Sequence, residues 1–400
     1  MKTYHLLENL DDTYGGPAKS VPYLAKSLEE IGVQNSLLSI KYHDGETNEV
    51  IKNSELTWLS FSYDFVKKTR YSKTLKNYLL DIVKKEKNII FHTHNLWNYI
   101  PYVAYTLARK YQVPYIMAIR GSLYPWSLAQ SSLQKKIAWK LFQKNALQSA
   151  SCVHVTDKAE LEAVRSLGIT SPIALVPNGI NLDEFKSINS QEKAKENLGL
   201  EKDKNYILFL SRVHPKKGLE YLVQSWIKIA KNYLDWDLLI VGPIYDEKYY
   251  RELQLEISKN DLKNRVHFSG MLGGEKRIDC FGASSLFALP SHTENFGIAI
   301  AEAMAAKLPV ITTHGTPWQE IEEYDAGWWV VLNQKNIDNA LTEALTCSEE
   351  ELKQKGLNGF KLIQKYEWKY QAKKMKQVYE WVLSRANKPE FVYEIGEEIN

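Results

Sequence analysis

Residues 291–313 read SHTENFGIAIAEAMAAKLPVITT and set Glu294 and Glu302 eight positions apart around a short apolar run. The run before them, SLFALPS (285–291), is β-rich and stops at Pro290. Asn295 is a helix-capping residue type, Phe296, Gly297 and Ile298 make a first helical turn, and Glu302 falls on the second turn. Pro309 ends the helix and opens the β-branched strand VITT. Strand, acidic loop, helix and strand in this order form the repeating unit of a parallel α/β sheet. Ligands of such sheets bind at the carboxyl ends of strands, beside helix N-termini, and Glu294 falls in that loop. Carboxylates accept hydrogen bonds from vicinal hydroxyls, so one acid suits a sugar ring and the other a ribose, with turn amides left for phosphate or hydroxyl oxygens. For a bare pair of acids, a helix-start acid plus a solvated helical Glu is the ordinary reading; the surrounding S-x-x-E-N-F-G…E-A pattern shifts the balance toward a ligand.

Outward from this stretch the same alternation repeats. NSLLSI, NIIFHTH, VPYIMAI, CVHVT and IALVPN punctuate the first 180 residues, separated by segments of helical periodicity; after Gly16, Val21, Leu24, Leu28 and Ile31 recur at steps of three and four. YILFLSR, WDLLIVGP, RVHFSG, SLFALPS, PVITTH and GWWVVL form a second series. Between them, KSINSQEKAKENLGLEKDK (186–204) is polar and reads as surface loop and helix. The expected organisation is two doubly wound parallel-sheet domains, 1–185 and 186–375, followed by a helix and tail over 376–400 that packs back on the first domain. Trp368, Met375, Val378 and Trp381 among the lysines of KYEWKYQAKKMKQVYEWVLS (365–384) mark an amphipathic helix.

A net charge of +3 and 44% hydrophobic content describe a globular chain with too mild a charge for a nucleic-acid protein. Cys152, Cys280 and Cys347 have no paired spacing, so neither a disulfide framework nor a zinc site is expected. No long apolar run occurs, and the expected location is the cytoplasm.

Two turns carry further chemistry. In YGGPAKSVPYLAKSL (14–28), Gly15 and Gly16 stand between the first strand and helix, where bare backbone approaches an anion; simple chain reversal fits this stretch equally well. In FLSRVHPKKGLEYL (209–222), Arg212 and Lys217 lie five apart before a helix, with Lys216 able to replace Lys217. Cations there oppose the helix dipole, so an anionic partner such as a diphosphate is the better reading.

Together these stretches resemble the family 4 glycosyltransferases of the GT-B fold. ENFGIAIAEAMAAKLPVI is similar to their E-x7-E motif, SRVHPKKG to their R-x4-K turn, VPNGIN to the strand leading into their second domain, and YGGPAKS to their first glycine loop. The resemblance covers nearly the whole chain and implies two Rossmann-like domains facing across a cleft. It also implies retaining transfer of a sugar from a nucleotide-diphosphate donor, without a metal ion or prosthetic group. Carried over by position, Arg212 and Lys217 neutralise the diphosphate, Glu302 holds the ribose, and Glu294 with Asn295, Phe296, Gly297 and Ile298 holds the sugar. Gly15 and Gly16 approach the diphosphate from the other domain. A UDP-sugar is the favoured donor, with a GDP-sugar as the alternative, and a growing glycan or lipid-linked molecule is the expected acceptor. A sugar-nucleotide epimerase or phosphorylase of the same architecture and a silent nucleotide-sugar-binding scaffold are the competing classes. The absence of a GxGxxG after a strand disfavours a nicotinamide dehydrogenase.

One position departs from the family pattern. Many members carry a His where YIMAIRGSLYPWSL has Arg120, although a subset resembling bacterial polysaccharide and lipopolysaccharide transferases shares RG-x-L-x-PW and the later TPW. Arg120 either meets donor phosphate or acceptor, or pairs with an acid at the core edge. His92 and His94 of FHTHNLW share one face of a strand; without a third ligand at suitable spacing no metal is expected, and His94 is either an acceptor contact or catalytic base, or a structural residue. Residues 67–87, with eight Lys or Arg, and 133–144, with four Lys among Ile137, Trp139, Leu141 and Phe142, suggest contact with an anionic membrane surface; solvated helix faces are the ordinary alternative.

Overall fold

A computed structural model of the chain describes residues 1–11, 14–43, 45–64, 70–130 and 132–397. It separates into two units, one formed by Met1–Gly179 and Trp368–Asn400 and the other by Ile180–Glu367. The divisions therefore fall at Gly179/Ile180 and Glu367/Trp368 rather than at 185 and 375.

The first unit is built on strands β1 (Lys2–Leu6), β2 (Gln34–Lys41), β3 (Thr57–Ser62), β4 (Ile89–His94), β5 (Tyr115–Ala118), β6 (Cys152–Val155) and β7 (Ile173–Leu175). The second contains β8 (Asn205–Leu210), β9 (Trp236–Val241), β10 (Val266–Gly270), β11 (Leu286–Leu289), β12 (Val310–Thr313) and β13 (Gly327–Val330). A short β14 (Val392–Tyr393) returns to the first unit and pairs antiparallel with β7; all the other ladders are parallel. The sheet orders are β14-β7-β6-β5-β4-β1-β2-β3 and β10-β9-β8-β11-β12-β13. In each, the winding reverses next to the unit's first strand, between β1 and β4 and between β8 and β11, and such reversals leave the crevice that receives ligands.

Near-continuous apolar strands explain the parallel sheets. Every residue of β4, β9, β11 and β12 is buried, as both faces of a helix-covered sheet require. The one carboxylate inside β9, Asp237, is held by Arg265 and by His267 at 2.9 Å, and these partners keep its pKa low against the upward push of burial. Among the described residues no helix is long and apolar enough to cross a membrane.

The amphipathic helix expected near the C-terminus runs Trp368–Val382. Its Trp368, Ala372, Met375, Val378 and Tyr379 pack with Leu24, Leu28, Ile90, Ile116 and Cys152 in one apolar cluster of the first unit. That packing explains why the chain rejoins this unit at 368: the helix completes the apolar cover that Leu24 and Leu28 begin on this face. The same face carries four buried histidines, His5, His92, His94 and His154. Met375→Ala would remove a fully buried side chain from this cluster and is expected to destabilise the first unit by roughly 2–5 kcal/mol. Urea unfolding measures this, and a loss well below about 1 kcal/mol would show the helix to be loosely docked.

Candidate functional site

In the second unit, β8 runs into the turn Ser211–Gly218 and β11 into the loop Pro290–Gly297, one on each side of the winding reversal. The two are stitched together by main-chain and side-chain bonds. His292 N donates to Lys216 O at 2.9 Å, Ser291 Oγ lies 3.3 Å from the same carbonyl, and Glu294 N donates to Gly315 O at 2.7 Å. Gly218 has φ +64, and a Cβ there would sit 2.0 Å from Pro290 O, so only glycine lets the turn lie against the strand end.

This stitching brings Lys217 and Glu294 into an ion pair whose side chains are only 11% and 12% exposed. Ser291 Oγ donates to the same carboxylate oxygen at 2.7 Å. Burial pushes the Glu294 carboxyl up, but Lys217, Lys216 and Ser291 pull it back below its ordinary 4.5. Lys216 is lowered by burial and by Lys217 and Arg212, with Glu294 acting in the opposite sense. Arg212 is exposed, and its guanidinium lies 4.9 Å from the Tyr245 ring centroid. Phe296 is buried against Trp318, with ring centroids 5.0 Å apart, and Gly297, at φ +75, starts the helix Ile298–Ala305. No side chain caps that helix and no acid stands in its first turn, so its positive end faces the Glu294 loop uncovered by an anion of its own.

Glu302 is placed differently from its partner acid. It is buried at 2% exposure and paired at 2.7 Å with Nη1 of Arg277, which bonds Glu184 through Nη2. It is therefore neither a solvated helix residue nor part of the Lys217–Glu294 pair. Arg277 carried no recognisable sequence signal, because its partners lie 25 and 93 residues away. Lys217, Glu294, Lys216 and Ser291 are thus assembled in one cluster, with Arg212 close enough to act on Lys216, and Glu302 stands in a second one.

In the first unit, Gly15 takes φ +112 with open space where a side chain would stand, and Gly16 begins the helix Gly16–Glu29 without a side-chain cap. His94 is buried, as are His5, His92 and His154. Register explains the grouping: His5 faces His92 across β1 and β4, and His94 and His154 both align with Ala118. His5, invisible to a search by spacing, is the third histidine, and ring nitrogens of His5, His92 and His94 all lie within 4.8 Å of one another.

The hydrogen bonds settle how those nitrogens are used. Asn35 Nδ2 donates to two carbonyls, of Ala25 at 3.0 Å and Val33 at 2.8 Å, so its Oδ1 accepts from His5 Nε2 at 3.1 Å. A neutral His5 then accepts at Nδ1 from His94 Nε2, 3.0 Å away, and His94 Nδ1 accepts from Arg120 Nη2 at 3.3 Å. Likewise Val176 O accepts from His154 Nε2 at 2.8 Å, His154 Nδ1 from His92 Nε2 at 3.2 Å, and His92 Nδ1 from the Tyr379 hydroxyl at 2.8 Å. Burial is the main reason these imidazoles are neutral, with pKa values near 4 for His5 and near 3 for His154 and lower-than-ordinary values for His92 and His94. Each Nδ1 lone pair is already accepting a bond, so a cation could be held only by breaking these chains.

Of the basic segments, Lys67, Lys68 and Thr69 lie outside the described residues. The helix Lys73–Lys85 buries Leu75, Leu79 and Ile82 and turns its lysines outward, an ordinary solvated face. Around residues 133–144 the pattern is inverted: Leu133, Ile137 and Leu141 are 71%, 52% and 73% exposed.

Comparison with known proteins agrees with this architecture. Residues 15–179 match the family model described as glycosyl transferase 4-like domain, and residues 190–361 match glycosyl transferases group 1. The chain is 27% identical over 305 residues to the UDP-Gal:alpha-D-GlcNAc-diphosphoundecaprenol alpha-1,3-galactosyltransferase of Escherichia coli, covering 72% of this chain and 75% of that protein. It is 22% identical over 325 residues to alpha-monoglucosyldiacylglycerol synthase of Streptococcus pneumoniae, covering 77% and 70%. Its fold is shared with Anabaena HepE, solved in complex with UDP-glucose, at a TM-score of 0.76 and 18% identity over 96% of this chain and all of that one.

The depressed Glu294 pKa gives the ion pair a pH signature. Its stabilisation is full above the unfolded value of about 4.5 and is lost as pH falls through the lower folded value. Glu294→Gln should therefore lower stability above pH 4.5 and flatten the acid limb below it, in urea unfolding across that range. An acid limb as steep as that of the unmodified chain would contradict the pairing.

Proposed function

The chain belongs to the glycosyltransferases, group 1 with a glycosyl transferase 4-like first domain, and from that membership we propose that it moves a sugar from a UDP-sugar to a lipid-linked or growing glycan acceptor with retention of anomeric configuration. The observation that carries this reading is the Lys217–Glu294–Ser291 cluster at the reversal between β8 and β11. Arg212 and Lys217 receive the diphosphate, and the uncapped start of the helix Ile298–Ala305 adds backbone N–H groups to the same end. Glu294 with Asn295, Phe296, Gly297 and Ile298 takes the sugar hydroxyls, and Glu302 takes the ribose.

Transfer develops positive charge at the anomeric carbon and negative charge on the departing diphosphate, so cations fixed at the leaving group stabilise the transition state more than the ground state. Retention by double displacement requires a carboxylate free to attack carbon. Glu294 already spends Oε1 on Lys217 and Ser291, which favours substitution on a single face. The bond from anomeric carbon to phosphate oxygen breaks, the acceptor oxygen bonds on that face, and its proton passes to the leaving phosphate oxygen. The relatives above include enzymes named for a diphosphoundecaprenol-linked sugar and for monoglucosyldiacylglycerol, which supports a lipid-linked acceptor.

A membrane-lying face fits such an acceptor. Exposed Leu133, Ile137 and Leu141 are accompanied by exposed Lys136, Lys140 and Lys144, and no Asp or Glu occurs between Glu86 and Asp157. An apolar stripe flanked by cations and free of acids suits an anionic leaflet.

Lys217→Ala and Glu294→Ala are each expected to lower turnover of the accepted donor by about 10²-fold or more with folding retained. Unmodified rates in both would refute the assigned roles. Vesicles of phosphatidylglycerol and phosphatidylcholine should sediment the chain in a salt-sensitive manner, and Leu133→Asp with Leu141→Asp should release it. Failure of the unmodified chain to sediment would remove the membrane from the account.

A further inference from the structure

Arg120 follows β5 with φ +50, and Gly121 after it has φ +72, so the chain makes two left-handed steps as it leaves the sheet. The side chains that hydrogen-bond to the guanidinium are all neutral. Nη1 donates to Asn178 Oδ1 and Nη2 to His94 Nδ1, and the buried Nε has no hydrogen-bond partner among the described residues. Among those residues no carboxylate lies within ion-pairing distance of it. The acid whose field reaches it, Glu160, is spent on the backbone: one oxygen accepts from Gly121 N and the other from Thr156 N at 2.7 Å and Thr156 Oγ1 at 3.1 Å. Burial and then Asp157 raise the Glu160 pKa to about 7, which further reduces its power to balance a cation.

A desolvated guanidinium is costly unless an anion compensates it. Burial lowers the Arg120 pKa only to about 10, so the charge persists at neutral pH. The polar groups behind it are directed in one sense only: Arg120 donates to His94, His94 to His5, His5 to Asn35, and Asn35 to carbonyls. That one-way chain orients the Nη2 end of the guanidinium, while its Nε has no hydrogen-bond partner among the described residues. A planar fork held in this way matches the paired oxygens of a phosphate or carboxylate.

We infer that Arg120 is an oxyanion receptor at the carboxyl end of β5, taking a phosphate or carboxylate group of a substrate, and that His94, His5 and Asn35 are the positioning residues that hold it. The inference draws on the glycosyl-transfer reading only for the source of the anion, which is either the donor diphosphate or a charged group on the acceptor. Inorganic phosphate tests the receptor whether or not any sugar is moved.

The experiment uses the full chain carrying Arg212→Ala and Lys217→Ala, which silences the cations of the second unit. Phosphate is titrated against a chloride control of equal ionic strength while the histidine ring nitrogens are followed by long-range 1H–15N correlation. Saturable movement of the His94 Nδ1 signal with phosphate and not chloride is expected. Arg120→Gln should abolish that response or weaken it by roughly 10-fold or more, and Arg120→Lys, which keeps the charge but loses the fork, should weaken it as well. His94→Gln, which can still accept and donate, should bind more tightly than His94→Phe. Phosphate that leaves the imidazole signals in place, an equal response to chloride, or full binding in Arg120→Gln and Arg120→Lys would each overturn the proposal. Uridine diphosphate added to the otherwise unmodified chain then separates the sources: movement of the His94 signal assigns the donor, and movement with phosphate alone assigns the acceptor.

Discussion

The Lys217–Glu294 ion pair is the interaction around which the second unit's site is organised. Two largely desolvated charges meet where the winding of a parallel sheet reverses, and each makes the other tolerable. Removing either partner would strand the other, a situation that costs roughly 3–5 kcal/mol when a buried pair is broken from one side. The pair depends in turn on backbone closeness: Gly218 against the Pro290 carbonyl, and the Ser291–Glu294 loop clamped between Lys216 and Gly315. A ligand carrying phosphate and hydroxyl groups offers both charges new partners at once, so the pair serves as a stand-in for the substrate it is proposed to bind.

The first unit solves the same geometric problem in the opposite way. Its reversal lies between β1 and β4, and the residues there are imidazoles rather than ions. Four buried neutral histidines pass hydrogen bonds in fixed directions, one series ending on Asn35 and the other on the Val176 carbonyl. The helix Trp368–Val382 closes the face above them and contributes the Tyr379 hydroxyl. One unit thus presents a cation that is balanced internally, and the other a cation, Arg120, that is not.

Much of the fold was legible because parallel strands are apolar along their whole length. All six strands of the second sheet were recognisable from runs such as WDLLIVGP and PVITTH. Strand β3 escaped notice because TWLSFS is mostly half-buried or exposed at a sheet edge and lacks a core strand's continuous apolar run. β14 is two residues long, too short for any periodicity. Within the candidate site, Lys217 and Glu294 could be anticipated from their turns, since local spacing fixes where each falls relative to its strand end. Arg277 beside Glu302, and His5 beside His94, could not, because strand register and helix packing join residues far apart in sequence. The burial of Glu302 followed from the same packing: on a helix of Ile, Ala and Met between two sheet strands, even its acid faces inward.

The most direct measurement is thermal unfolding of the full chain with UDP-, GDP- and dTDP-sugars, repeated in Lys217→Ala. A ligand that binds only the folded state stabilises it in proportion to the logarithm of its concentration. The account predicts that a UDP-sugar raises the melting temperature progressively and that Lys217→Ala removes the rise. No shift with any nucleotide sugar, or an equal shift in the variant, would contradict it.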